Sequence, residues 1–400
     1  MNLREHGQLL EDKREEITAW MKKKRSEVPI PIYGSVDVRD AGWKIGVVDA
    51  NHFPAGFNNV SKENLMELAN LFREHVQRSH PSCEWVHIYP ESHTRNPGYV
   101  ENIASIKSMI EQAGFSCTVG SPDLNGLVAI NGISGPLLLN DVELTDEDEL
   151  TVKGEKPDLI LLNNDLTEGD IPGIQTPNIT PPPHMGWFRR RKSQHYEMLK
   201  PYIEEMAGLL SIDPWHLMPD WFVSKNKCLT EDACKIKLAV EIDEFLNGLR
   251  EKYATLGIDR EPTVVMKNDS GTYGLGIMML TAGEQILNLS NRKANKLRYA
   301  KGGGEVENFL IQEGIPTALT TDAGETLEPV VYLVDGEAAS WFYRINAKKS
   351  DMDNLNSPSA RFENYQGAEN PHIQEAHGWH ALVAELSMLA MGAEAATWSD

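Results

Sequence analysis

A chain of 400 residues, 41% of them hydrophobic, can bury a large core and suggests two or three domains. Its formal net charge of -21 repels nucleic acid and anionic membrane, so neither is expected as a partner, and an anionic ligand must be met by a local cluster of Lys and Arg. There is no apolar run of about 18 residues, no signal-peptide core in the charged N-terminus and no CxxC pair among the four cysteines, so a soluble protein of the reducing cytoplasm is expected.

Residues 3–26 have the spacing of an amphipathic helix, ended by the prolines of VPIPIYG. An alternation follows. WKIGVVDA (43–50) predicts a buried strand and SKENLMELANLFREHVQR (61–78) a helix capped by its Ser. CEWVHIYP (83–90) predicts a strand, GYVENIASIKSMIEQAG (98–114) a helix ended by Gly, and FSCTVG (115–120) and DLILLNND (158–165) two further strands. Strands alternating with helices predict a mostly parallel sheet. Residues 121–156 are less regular, and LTDEDELTVKGEK reads as a solvated excursion. PNITPPPHMGW (177–187) is a rigid turn before a basic-headed helix, RRRKSQHYEMLKPYIEEMAGLL, and another long helix spans 231–255. From 262 onward short strands and glycine turns dominate, in PTVVMKN, GIMML, FLIQEGI, EPVVYLVDGE and AASWFYRIN, which predicts an antiparallel region. A helix over GWHALVAELSMLAMGAEAA (378–396) closes the pattern.

VVMKNDSGTYGLGIMML (264–280) carries the clearest chemistry. Gly271, Gly274 and Gly276 are spaced G-x-x-G-x-G, the reverse of the dinucleotide fingerprint, and a strand follows instead of a helix. No GK[ST] follows, so the segment is not a Walker A loop. What remains is either a plain glycine-rich hairpin or a flap whose backbone N–H groups, with Ser270, approach phosphate where no Cβ intervenes. Lys267 stands at the end of the first strand as a point charge for phosphate. Upstream, Arg189, Arg190, Arg191, Lys192 and His195 open a helix whose N-terminal N–H groups also favour anions. Downstream, Gln312 and Glu313 end a strand where they could read an adenine edge. Asp335-Gly336 marks a hairpin turn, and Arg344 and Asn346 end its second strand.

In this order the chain resembles the ATP-grasp superfamily: a first Lys on a helix (Lys192), a second before a glycine flap (Lys267), a hinge acid (Glu313) and a V-D-G-E hairpin ending in an arginine (Arg344). Asn354-Leu355 resembles an Asn-Leu pair that follows the matching arginine in bacterial glutathione synthetase. Over most of its length the chain resembles a proteobacterial family of glutamate–cysteine ligases, carried by VVDANHFPAGFNN, LLNNDLTEG, PPPHMGWFRRRKSQH, VMKNDSGTYGLGIM and FLIQEGIPT. The resemblance implies an α/β fold, α+β in its C-terminal part. It would be an ATP-grasp fold with a parallel-sheet substrate domain, circularly permuted as in eukaryotic glutathione synthetase.

ATP-grasp enzymes usually hold Mg²⁺ with an acid and an E-x-N pair near the end of the domain. No E-x-N follows the last helix here, but Asp49 and Asn51 form a D-x-N in VVDANHFPAGFNN and are the expected metal ligands; otherwise they merely end a strand of the parallel sheet. The strand ends VVDAN, IYPESHTRNPGY and LLNND could open onto one crevice, where Asn58, Asn59, Arg95, Asn163, Asn164 and Asp165 would bind the carboxylate and ammonium groups of an amino acid, with Arg344 and Asn354. Arg344 suits the charge of an acyl phosphate. HIQEAHGWH has no zinc spacing, and no GxSxG occurs.

The sequence therefore reads as an ATP- and Mg²⁺-dependent ligase joining the glutamate γ-carboxylate to the cysteine amine, with another carboxylate–amine ligase, such as a glutathione synthetase, or a non-catalytic nucleotide-binding protein as alternatives. Residues 1–60 would pack with an ATP-grasp domain of residues 186–400, and residues 61–185 would form a Rossmann-like substrate domain. The oligomeric state, a homo-oligomer included, stays open.

Overall fold

The computed structural model describes residues 2–147, 149–171, 178–227, 229–270, 277–298, 308–364 and 371–397. The amphipathic N-terminus forms two helices, α1 (Gly7–Asp12) and α2 (Arg14–Arg25), separated at Lys13. β1 (Tyr33–Asp40), which the strand pattern did not foresee, pairs antiparallel with β2 (Ile45–Asn51). The strand expected at 43–50 is thus present, but in an antiparallel sheet and at its edge.

The parallel expectation holds for the next stretch. α3 (Lys62–Ser79) is capped by Ser61, whose hydroxyl accepts from Asn64 N. β3 (Trp85–Pro90) leads to α4 (Pro97–Gln112), which Asn96 caps at Gly98 N and Tyr99 N. β4 (Ser116–Val119) comes next. The irregular stretch holds two small hairpins, β5 (Ala129–Asn131) with β6 (Pro136–Leu138), and β7 (Val142–Leu144) with β8 (Leu150–Val152). The excursion is not wholly solvated, since Leu150, Thr151 and Val152 are buried. β9 (Leu159–Asn163), buried throughout, and β10 (Ile179–Thr180) complete a parallel sheet in the order β10-β9-β3-β4. Ligands of such sheets bind beyond the carboxyl ends of the strands, here Pro90 and Asn163.

A second, antiparallel sheet follows. α5 (Lys192–Leu210) precedes β11 (Trp221–Ser224), and α6 (Asp232–Leu256) precedes β12 (Val264–Asn268) and β13 (Met278–Leu280). After α7 (Glu284–Leu287) and α8 (Asn291–Arg298), β14 (Phe309–Glu313) inserts between β11 and β12. Trp221, Gln312, Val265 and Met279 then lie in one cross-strand row.

β15 (Leu327–Val334) and β16 (Glu337–Ile345) form the expected hairpin. Asp335 and Gly336 both have positive φ, 54° and 78°, as a two-residue turn of matching twist demands. β15 pairs with β1, so strands from both ends of the chain share a sheet in the order β17-β16-β15-β1-β2, with β17 at Arg361–Glu363. α9 (Pro371–Thr397) buries Trp379, Val383, Leu386 and Met388 in the core cluster that also holds Val36, Val47 and Val331. Among the described residues no helix is long and apolar enough to cross a membrane.

Candidate active site

Asp269 follows β12 and fastens it to the start of α5. Its carboxylate accepts from Ser193 N and Ser193 Oγ, both at 2.8 Å, and its carbonyl from Lys192 N at 2.8 Å. This brings Lys192 and Lys267 to the same cavity. Lys192 Nζ lies 2.5 Å from Asp49 Oδ1 and 4.5 Å from the centre of the Trp187 ring. Lys267 Nζ donates to Val48 O at 2.8 Å. Burial, and then the Lys192 charge, lower the Lys267 amine to about 8. Burial alone would raise the Asp49 carboxyl, but Lys192 and Lys267 outweigh it and hold it below its ordinary value. The cavity measures about 850 Å³, and Val265, Met279, Ile315 and Met352 supply its apolar lining. An apolar lining with a few charged and polar groups is the character of a small-molecule site.

A second cavity of about 1460 Å³ opens beside it, where the ends of β3 and β9 meet the loop after β2. Asn51, Asn58, Asn59, Asn163, Asp165 and Glu91 are among its lining residues. Asp37, Asp49, Arg344 and Asn356 line both cavities. Arg344 Nη1 lies 3.1 Å from Asp37 Oδ2 and 2.5 Å from Glu328 Oε1, and Arg39 Nε holds the other Glu328 oxygen at 2.6 Å. Burial raises the Asp37 carboxyl, with the Glu328 and Asp49 charges adding to the rise against the pull of Arg344. Burial disfavours the Arg344 cation, but Asp37 and Glu328 raise its pKa overall.

Lys192, Lys267, Gln312 and Asn354 face the first cavity, and Asn51, Asn58, Asn59, Asn163 and Asp165 the second. Asn163 is spent largely on structure, its amide donating to Tyr33 Oη at 3.0 Å and to Pro54 O at 2.9 Å. Ser270 Oγ donates to Asn268 Oδ1, while Gly271, Gly274 and Gly276 lie outside the described residues.

Other expected residues sit outside the two cavities or are held by internal partners. Arg95 is exposed and lines neither cavity. Asn164 also lines neither; its side chain accepts from Leu166 N at 2.9 Å, an ordinary turn. Glu313 lines the first cavity, with its carboxylate buried against Lys44 Nζ and accepting from Tyr253 Oη at 3.1 Å and Asp220 N at 3.0 Å. Arg190 and His195 turn into the core, where both pair with Glu394 of α9. Sequence reasoning missed Asp37, Glu328, Asp269 and Lys44. The apolar residues flanking Asp37 in YGSVDVRD, and Glu328 at the head of PVVYLV, were signals of charges carried on strands.

Mg²⁺ prefers a few hard oxygen ligands. Asp37, Asp49 and Glu328 offer such donors around one cavity, where burial first, and then the Glu328 and Asp49 charges, raise the Asp37 carboxyl. The donor chemistry fits. No group of three or more His, Cys, Asp or Glu is gathered for a metal among the described residues, and Lys192 and Arg344 neutralise these carboxylates.

Comparison with known proteins makes the chain a ligase. It belongs to the glutamate–cysteine ligase family, whose model matches residues 7–395, and it joins glutamate to cysteine. Its structure is similar to that of a proposed gamma-glutamylcysteine synthetase from Methylobacillus flagellatus KT, with a TM-score of 0.89 and 30% identity, covering 100% of this chain and 97% of that one. A D-alanyl-alanine synthetase A from Vibrio cholerae has a TM-score of 0.28 and 12% identity, covering 76% of this chain and 82% of its own. A glutathione synthetase-like effector from Globodera pallida has a TM-score of 0.34 and 9% identity, covering 88% and 78%. Neither of these two likenesses is high enough to bear on the fold. No curated protein sequence matches.

Proposed function

We propose that the first cavity takes ATP, the second takes the amino acids, and the reaction runs where the two meet. The shared rim of Asp37, Asp49, Arg344 and Asn356 carries this reading. The base would lie against Val265 and Met279, with the phosphates toward Lys192 and Lys267. A γ-carboxylate oxygen of glutamate attacks the terminal phosphorus, the bond from that phosphorus to the ADP oxygen breaks, and γ-glutamyl phosphate and ADP result. The α-amine of cysteine then attacks the acyl carbon, phosphate leaves with the electron pair of the C–O bond, and the nitrogen loses a proton. The products are γ-glutamylcysteine, ADP and phosphate.

No enzyme nucleophile is needed. The residues contribute by holding two anions close together and by offering Lys192, Lys267 and Arg344 to the charge that develops. Asp37 and Asp49, with Asn51 beside them, would hold Mg²⁺, which when bound offsets phosphate charge. We read the layout as ATP-grasp with a permuted order, a reading supported by the pairing of β1 with β15, and we keep the division at residues 60 and 185 as part of it. The free thiols of Cys83, Cys117 and Cys234 suit the reducing cytoplasm.

The test is ADP release with Mg²⁺ and ATP. Release should need glutamate and cysteine together, and should not be reproduced by γ-glutamylcysteine with glycine. Equal release with glycine as acceptor would assign the protein to a different ligase reaction.

A further inference from the structure

β2 is an edge strand, with β1 as its neighbour in the sheet. Side chains satisfy carbonyls near its end. Tyr196 Oη donates to Val47 O at 3.0 Å, Lys267 Nζ to Val48 O at 2.8 Å and Arg190 Nη1 to Ala50 O at 2.5 Å. Lys267 lines the first cavity, whereas Arg190 lines neither ligand cavity. In the proposed reaction a phosphate would draw Lys267 from its carbonyl, and Arg190 would keep its own. Ala50 stands between Asp49 and Asn51, whose side chains share a face by the period of two. Asp49 lines both cavities and Asn51 the second, so holding the one carbonyl holds both side chains.

The Arg190 guanidinium is itself aimed. It is 2% exposed, and the fully buried Glu394 of α9 accepts from its Nε at 2.7 Å and its Nη2 at 3.2 Å. That grip uses one edge of the planar fork and turns Nη1 toward Ala50 O. Glu394 also accepts from His195 Nδ1, and His195 Nε2 lies 2.9 Å from Ser387 Oγ of the same helix. The Trp187 ring meets the guanidinium carbon at 5.0 Å and Lys192 Nζ at 4.5 Å from its centre. One side chain thus binds the end of β2 to the head of α5 and to α9. A cavity of about 220 Å³ bounded by Asp49, Trp187, Arg190 and Lys192 leaves room for Asp49 to swing once that hold is lost.

We propose that Arg190, aimed by Glu394, is a positioning residue of the ligation centre: by holding the Ala50 carbonyl it sets where Asp49 and Asn51 present their oxygens to the divalent cation that accompanies ATP. The proposal rests on the reading of Asp49 and Asn51 as ligands of that cation. Mg²⁺ demands near-ideal octahedral geometry, so a small shift of the strand end is felt in metal binding before it is felt by the nucleotide alone. Arg190 acts through the backbone and touches no ligand.

The readout is the metal's share of nucleotide affinity. ATP binding is measured by calorimetry with Mg²⁺ and with EDTA in its place, and the ratio of the two affinities is compared among variants, with KM for Mg²⁺ in ADP release as a second measure. The wild type should bind ATP about tenfold tighter with Mg²⁺, and Asp49→Asn should bring the ratio toward unity. Arg190→Lys keeps the charge but loses the fork. It should shrink the ratio several-fold, raise KM for Mg²⁺ and leave metal-free ATP affinity nearly unchanged. Arg190→Met with Glu394→Met, an apolar exchange of the buried pair, should hold Tm near that of the wild type. Its ratio should still be reduced, because no donor reaches Ala50 O. A purely structural knot would return the ratio together with the Tm, so a wild-type ratio in either folded variant overturns the proposal. A ratio that survives Asp49→Asn would sink the metal reading of Asp49 and this proposal with it, whereas a ratio lost there and kept in the Arg190 variants sinks this proposal alone.

Discussion

Lys192 opens α5 and Asp49 lies near the end of β2, yet their charged groups stand 2.5 Å apart, with Lys267 on the Val48 carbonyl beside them. Two lysines and one carboxylate thus form a triangle in which the anion keeps two cations together. In the proposed reaction a polyphosphate would take over that task on entering, which would leave Asp49 available to a divalent cation.

Asp49→Asn keeps the size of the side chain and removes the charge. ADP release with both amino acids should fall by about 100-fold or more. Near-normal release would show that the Asp49 carboxylate does not serve the reaction.

The Lys267 amine, lowered to about 8, gives a pH signature. The unfolded amine titrates near 10.4, so between about 8 and 10.4 the unfolded chain binds more protons than the folded one. The destabilisation is complete below about 8, and unliganded stability gains from this group as pH rises through the window. Phosphate favours the charged amine, so ATP binding should take up protons near pH 8.5 and weaken above it. Calorimetry in two buffers of different ionisation enthalpy measures the uptake, and Lys267→Met should reduce it.

Arg344→Met removes the cation between Asp37 and Glu328. Turnover should drop about 100-fold, and Tm should fall because the buried Asp37 carboxylate loses its Arg344 partner and Glu328 keeps only Arg39. Mg²⁺ should then raise the Tm of the variant more than that of the wild type. Equal shifts would count against Asp37 as a metal ligand.

Glu394 is fully buried, and burial alone would raise its carboxyl, but Arg190 and His195 hold it far below the carboxylate range. Its stabilising contribution is therefore present above an unfolded value near 4.3 and is lost as pH falls through the folded value. Glu394→Gln should cost about 3–5 kcal/mol at pH 7. Denaturant melts repeated toward pH 3 should show that gap narrowing.

The two lysines, the hairpin at Asp335-Gly336, the capped α3 and the parallel strands were legible because each is set by local spacing or turn chemistry. Asp37 and Glu328 were not, since their meaning lies in Arg344 and Arg39, partners far along the chain. The pairing of Glu313 was hidden for the same reason, since Lys44 lies more than two hundred residues earlier. Arg95 and Asn164 stand outside both cavities, where polar residues at strand ends commonly serve turns and the surface.

The pairing of Val36 with Val331 has a consequence for synthesis. A ribosome adding about 5–20 residues per second releases β1 and β2 roughly a quarter of a minute to a minute before β15 exists to flank them. Until then the strand bearing Asp37 and Asp40 is an unpaired edge awaiting its neighbour. The parallel sheet, complete by Thr180, can fold first, while the ligation centre closes only after β15 and β16 have been made.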